Sequence, residues 1–278
     1  MSVASTEVQR IGVFGAGGRM GRAVCQAVIE DPGMELVAAI DPEFAGIDLR
    51  QVTGQSGESS GLQIAGDPEE LERTGADVAI DFTVATAALA NMGWCASHGV
   101  HAVVGTTGLS QSAIEKLRQS FGASRANCVL AANFAIGAVL MSRFCELAAP
   151  FMDGVEIIEL HHDDKVDAPS GTAIHTAQLT ADARSRSGAS PFSDDPTTST
   201  SLPGTRGGVG PGGVRVHSVR LPGLVAHQEV IFGALGQSLS IRHDAYDRTS
   251  FMPGILLAVR AVPDKNGLTV GLDELLGF

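Results

Sequence analysis

RIGVFGAGGRMGRAV, residues 10–24, is the stretch on which the fold turns. A short apolar run, RIGVF, enters Gly15, Gly17, Gly18 and Gly21, and apolar residues then recur at helical spacing through RMGRAVCQAVIE. Strand, glycine turn and helix in that order open a βαβ unit. Lacking Cβ atoms, such a turn folds tightly and lets a pyrophosphate approach the backbone at the positive end of the following helix. The spacing G-A-G-G-R-M-G puts the last glycine one place later than GxGxxG requires, so a purely structural turn stays open as a reading.

Working outward, further strands are expected at ELVAAI (35–40), DVAIDF (77–82), HAVVG (101–105) and CVLAA (128–132), with helical spacing in TAALANMGWCASH and QSAIEKLRQSF. This alternation predicts an α/β fold, a Rossmann-type, mostly parallel sheet. Asp41 ends the second expected strand, twenty residues beyond Gly21, where a carboxylate can accept hydrogen bonds from an adenosine ribose. Pro42 and Glu43 follow it, so no cation stands where a 2′-phosphate is usually held, which favours NAD(H). Arg19 keeps NADP(H) open, since its guanidinium can reach either phosphate. DFT (81–83), GTTG (105–108) and AANF (131–134) end later strands, at the edge where such sheets bind ligands.

The second half changes character. A strand, VEIIELHH, and a helix, GTAIHTAQLTADARSR, precede SGASPFSDDPTTSTSLPGTRGGVGPGG (187–213), whose Ser, Thr, Gly and Pro content predicts a long mobile loop. VRVHSVRLPG, HQEVIFGALG and QSLSIRHDAY then read as an antiparallel meander, and SFMPGILLAVRAV as a returning helix. The expected organisation is a dinucleotide-binding domain of residues 1–133 and 245–278, with hinges near Asn133 and Tyr246, and an inserted α+β domain, 134–244, for substrate binding and oligomerisation.

Composition narrows the function. With 19 basic against 31 acidic side chains, the formal charge of −12 argues against a nucleic-acid surface. Any anionic ligand must be held by local positive groups. Cys25, Cys95, Cys128 and Cys145 are widely separated and read as reduced, buried thiols, not as a metal or disulfide set. MSVASTEVQR has no apolar signal core and no later run resembles a membrane span, so a cytoplasmic location without membrane partners is expected.

Two histidines, three aspartates and a lysine crowd into HHDDKVDAPSGTA (161–173). Were the strand to continue to Lys165, His161, Asp163 and Lys165 would share one face, and His162 and Asp164 the other. Neighbouring imidazoles on opposite faces, with an ammonium beside one of them, are poorly placed to chelate a metal. His161 with Lys165 makes a credible acid/base pair. Ser170 can cap a helix whose first amides, near Gly171 and Thr172, bind a carboxylate, with His162 and Lys165 completing the anion pocket. A solvated strand-to-helix connection is the bland alternative, and residue chemistry alone leaves it open.

GAGGRMGR, DFT, GTTG, AANF, ELHHDDKVDAPSGTA, VHSVRLPG and SFMPG together resemble the 4-hydroxy-tetrahydrodipicolinate reductase (dihydrodipicolinate reductase) family, over nearly the whole chain. The resemblance implies NAD(P)H-dependent reduction of a cyclic dicarboxylate in lysine and diaminopimelate biosynthesis, by a homotetramer assembled through the sheet of the substrate domain. It implies that His161 and Lys165 exchange protons and that His162, Gly171 and Thr172 hold the substrate carboxylates. Gly15, Ala16, Gly17, Gly18, Arg19, Met20, Asp41, Gly105, Thr106, Thr107, Ala131, Ala132, Asn133 and Phe134 fall on the family's cofactor contacts. Asp163 and Asp164 depart from the family pattern; carboxylates beside His161 would raise its pKa unless they turn outward.

Overall fold

The structure, a computed structural model, describes residues 8–54 and 61–278. Most of MSVASTEVQR, read above for signal character, therefore lies outside the described residues. The chain runs through β1 (Gln9–Phe14), α1 (Arg19–Glu30), β2 (Met34–Ile40), α2 (Leu49–Thr53), α3 (Glu69–Thr74), β3 (Val78–Asp81), α4 (Ala85–His98), β4 (His101–Val104), α5 (Gln111–Gly122) and β5 (Cys128–Leu130). It continues through α6 (Ile136–Ala148), β6 (Gly154–His161), α7 (Gly171–Arg186), β7 (Gly208–Val209), β8 (Arg215–Arg220), β9 (Ala226–Ala234) and β10 (Gln237–Ala245), and closes with α8 (Met252–Ala261) and β11 (Leu268–Val270). Two compact units result: residues up to Phe134 together with Phe251–Phe278, and Ala135–Ser250.

In the first unit six parallel strands lie in the order β11-β5-β4-β3-β1-β2. β3 and β5 are buried along their whole length, as strands covered on both faces must be. Helices cover the sheet with single apolar stripes: Gly21, Val24, Cys25 and Val28 of α1, and Ala113, Leu117 and Phe121 of α5. Ser110 starts α5 by accepting a hydrogen bond from Ala113 N–H at 3.2 Å. β11 was not foreseen: LTV is too short to stand out, and it becomes a strand by pairing with β5.

The second unit carries a five-stranded sheet, β10-β9-β6-β8-β7. β6 alternates between faces, and Val155 and Ile157 pair in register with Phe232 and Val230 of β9. These four pack with Met141 and Cys145 of α6 and Ala173 and Ala177 of α7. The expected antiparallel meander is corrected: β9 and β10 form an antiparallel hairpin, but β8 runs parallel to β6 and lies on the side of β6 away from β9. Alternation fixes which residues share a face, not which strand is the neighbour.

Residues 187–213 are largely irregular, as expected, but tied down at several points. The Arg184 side chain, nearly buried, donates to the carbonyls of Ser190, Ala149 and Met152 at 2.6, 2.9 and 2.6 Å, and lies over the Phe192 ring. Asp195 accepts from Arg215 at 2.7 Å and Arg206 at 3.3 Å. The composition that suggested mobility does not register such tethers, since their partners are distant in sequence. All four cysteines are free and buried; burial pushes the thiols of Cys25 and Cys145 up to about 12, so they stay protonated and inert. No helix among the described residues is long and apolar enough to cross a membrane.

Candidate active site

One candidate binding edge lies on the first unit, where the parallel strands end. Gly15 adopts φ +70°, a left-handed conformation that suits glycine, and its N–H bonds the Ile40 carbonyl at 2.8 Å, anchoring the turn to β2. Gly21 sits in the first turn of α1, and a Cβ there would lie 2.0 Å from the Gly15 carbonyl oxygen. The late last glycine of the motif therefore serves close approach of helix and turn, the role the usual spacing provides. Gly18 caps α1 without a side-chain hydrogen bond, so the helix start is bare backbone. Asp41 turns back on this cradle and accepts from Gly17 N–H at 3.0 Å. A bare helix start, a glycine floor and a carboxylate at the end of β2 fit the pyrophosphate and ribose of a nicotinamide dinucleotide.

Further along the same edge, Gly105, Thr106 and Thr107 follow β4, and Ala131, Ala132, Asn133 and Phe134 follow β5. Several of these side chains face inward. Ala16, Ala131 and Phe134 are buried, so their side chains are closed to a ligand, and the N–H groups of Ala16 and Ala131 bond the Ile40 and Val104 carbonyls. The Thr106 hydroxyl is used internally, donating to Asp81 at 3.2 Å and to the Thr83 carbonyl at 3.1 Å. Sequence reading passed over the organiser, Asp81, which is fully buried and also accepts from Thr83 N–H, the Thr83 hydroxyl and Asn91. Arg19 and Thr107 are exposed.

A separate cluster of candidate residues lies on the second unit, where β6 ends. The strand stops at His161 and the chain turns, with Lys165 N–H bonded to the His162 carbonyl at 3.2 Å. The strict alternation expected through Lys165 is thus broken after His161. Asp163 and Asp164 fall on the turn and are exposed, and Lys165 donates to Asp167 at 2.7 and 2.8 Å. The carboxylate on His161 is instead Glu159, fully buried, whose Oε2 lies 2.6 Å from Nδ1. Arg220 of β8 grips Glu159 with both terminal nitrogens, at 2.9 and 2.8 Å.

Burial pushes the Glu159 carboxyl up, but hydrogen bonds from Arg220, Ser218 and His161 outweigh it and hold it below the ordinary carboxylate range. Burial lowers the His161 pKa; Glu159 raises it in part, and Lys165 and Arg220 lower it further. Asp163 and Asp164 turn outward into solvent, the case in which no rise was expected, and the histidine is held toward its neutral form. One signal of Glu159 was available, since alternation puts residue 159 on the face of 161. Nothing local pointed to Arg220, which the register of β6 with β8 brings opposite His161.

Ser170 begins α7, its hydroxyl accepting from Ala173 N–H at 3.1 Å and its own N–H donating to Glu159 at 3.2 Å. The amides of Gly171 and Thr172 precede Ile174 N–H, the first donor to reach an intrahelical acceptor, the Ser170 carbonyl, so neither has a partner within the helix. His162 is exposed beside it in sequence.

Known proteins resemble the chain over nearly its whole length. The family model described as "Dihydrodipicolinate reductase, N-terminus" matches residues 9–134, and "Dihydrodipicolinate reductase, C-terminus" matches 137–276. The 4-hydroxy-tetrahydrodipicolinate reductase of Nocardia farcinica is 49% identical over 268 residues, covering 96% of this chain and 98% of the relative. That of Cutibacterium acnes is 49% identical over 271 residues, covering 97% and 99%. The solved structure of dipicolinate-bound dihydrodipicolinate reductase from Paenisporosarcina sp. TG-14 superposes with a TM-score of 0.83 at 37% identity, covering 96% of this chain and 99% of that one.

Proposed function

The chain belongs to the dihydrodipicolinate reductase family and is an NAD(P)H-dependent 4-hydroxy-tetrahydrodipicolinate reductase of lysine and diaminopimelate biosynthesis; from that premise we propose which residues carry its chemistry. The overall reaction consumes the substrate, NAD(P)H and one proton, and yields tetrahydrodipicolinate, water and the oxidised cofactor. When bound, the reduced nicotinamide supplies the hydride. The glycine turn, residues 15–20, and Asp41 hold the pyrophosphate and adenosine ribose, while 105–107 and 131–134 border the nicotinamide end. The carboxylate of Asp41, followed by Pro42 and Glu43, favours NAD(H), with Arg19 the group available to a 2′-phosphate.

His162 and the amides of Gly171 and Thr172 take the substrate carboxylates, in a protein whose net charge of −12 would otherwise repel them. Holding both carboxylates fixes the ring, so that hydride and proton reach defined atoms. Lys165 supplies the proton and stabilises negative charge developing on the ring, with His161 as its partner in proton exchange. The observation that carries the assignment is the convergence of His161 and the start of α7 on one buried carboxylate, Glu159, whose partner Arg220 also bonds the Lys165 carbonyl. The neighbouring division into a nucleotide-type unit and a second sheet is read as a cofactor domain, 1–133 with 245–278, and a substrate and oligomerisation domain, 134–244, working in the cytoplasm as a homotetramer.

Lys165→Ala tests this reading. NADH affinity measured by fluorescence should be unchanged, while kcat falls by about 10²- to 10⁴-fold, the usual worth of a positioned acid or base. Near-normal turnover removes the lysine from the chemistry.

A further inference from the structure

Glu159 is a carboxylate with no solvent exposure, on the inward face of β6, two residues before His161. Such a group must be paired, and this one is paired four times over. Arg220 grips it bidentately, Ser170 N–H approaches Oε1 at 3.2 Å, the Ser218 side chain donates to it, and His161 Nδ1 meets Oε2 at 2.6 Å. Arg220 spends its remaining donors on main chain: the carbonyls of Lys165 at 3.3 Å, Val219 at 2.7 Å and Asp167 at 2.7 Å. All five guanidinium N–H groups are then occupied, so this arginine has none left for a ligand carboxylate. Its work is to hold Glu159 and to fix the turn that carries Lys165.

An ionised carboxylate only accepts hydrogen bonds. With Glu159 ionised, the proton of the neutral imidazole must sit on Nδ1, which leaves Nε2 as the nitrogen able to take or release a proton. We infer that Glu159 is the positioning residue of the active site: it sets the tautomer of His161 and, through Arg220 and Ser170, the placement of the Lys165 turn and the anion-binding start of α7. The inference rests on His161 exchanging protons as proposed above. The charged groups facing His161 are Glu159 on its own strand, Lys165 on the turn and Arg220 on β8, with Asp167 acting through the latter two. Of these, Glu159 favours the imidazolium and the two cations oppose it.

The tautomer is read directly from ¹⁵N-histidine NMR of the wild-type protein at pH about 8, with His161→Gln assigning the signal. The expected result is an Nδ1–H imidazole with unprotonated Nε2; an Nε2–H tautomer overturns the inference. Because this measurement needs no change at residue 159, it decides the matter even if Glu159 variants fail to fold. The kinetic arm is Glu159→Gln, whose amide mixes a donor into a site built for acceptors. It should keep wild-type NADH affinity while kcat falls by about 10²-fold. The limb of the pH profile belonging to His161 should move to lower pH, because a carboxylate that favoured the imidazolium is gone. In a His161→Gln background that limb is absent, so adding Glu159→Gln should move no limb of the profile. A Glu159→Gln enzyme with wild-type kcat and pH profile overturns the positioning role. Wild-type turnover in His161→Gln instead overturns the reading of His161, and the tautomer result then reports on Glu159 separately.

Discussion

Gly21→Ala puts the glycine turn to a quantitative test. The new Cβ would lie 2.0 Å from the Gly15 carbonyl oxygen, 2.7 Å from the Gly15 carbonyl carbon and 2.9 Å from Ala16 Cα. Comfortable contacts lie at roughly 3.5–4.0 Å, so turn and helix must separate by more than about 1 Å. No rotamer change relieves this, because the atoms it meets are backbone. Overpacking costs about 1–3 kcal/mol, and the better helix propensity of alanine returns about 1 kcal/mol. A clash this deep belongs at the upper end, leaving a net cost of about 2 kcal/mol. If the fold bears it, Tm falls by roughly 4–8 °C. If the turn yields, NADH dissociation weakens by about 30-fold at most, because the amides that meet the pyrophosphate move with it. Gly93→Ala is the matched control: it lies exposed within α4, with nothing within 4 Å of its Cβ, and should stabilise by about 1 kcal/mol. Calorimetry and NADH fluorescence titration on both variants decide it. A Gly21→Ala protein with wild-type melting and binding would refute the packing argument.

Asp41→Asn should narrow the ratio of kcat/KM with NADH to that with NADPH by about 10-fold, because the charge opposing a 2′-phosphate is removed; a strong NADPH preference in the wild type contradicts the reading of Asp41. Arg184→Met strands three carbonyls and should lower the urea stability by about 3 kcal/mol, with faster proteolysis within 187–213; unchanged cleavage would show that the tethers are dispensable. Stability should also fall with acid in two stages. His101, His161 and His243 are held below 6.5 by burial, so the unfolded chain takes up protons first as pH drops through 6.5. Glu156, Glu159 and Asp244 are held below their ordinary values, so the stability they contribute is present above about 4.5 and is lost as pH falls through their folded values. Urea midpoints between pH 8 and 3 that do not decline toward acid would contradict both assignments.

How far the sequence reaches differs between the candidate residues of the two units. RIGVFGAGGRMG and Asp41 were legible because the strand, the turn and the carboxylate act through local geometry: backbone conformation, missing Cβ atoms and the ends of neighbouring strands. HHDDKVDAPSGTA declared its ingredients but not its wiring. The Ser170 cap and the start of α7 sit where local rules put them, whereas Lys165 lies on a turn instead of the strand, and Asp163 and Asp164, next to His161 in the chain, turn out to solvent.

The sequence by itself determined the class of fold, a parallel nucleotide-type sheet followed by a second sheet, since hydrophobic period and glycine placement are properties of a short window. It also determined the chemistry on offer, because the residue types of the 161–173 segment admit proton exchange and carboxylate binding. Tertiary structure alone decided the neighbours. That β8 lies parallel beside β6 is a matter of sheet order, which no window of sequence encodes. That order brings Arg220, fifty-nine residues beyond His161 in the chain, onto Glu159, and so decides which carboxylate faces the histidine and which nitrogen of the ring is left for chemistry.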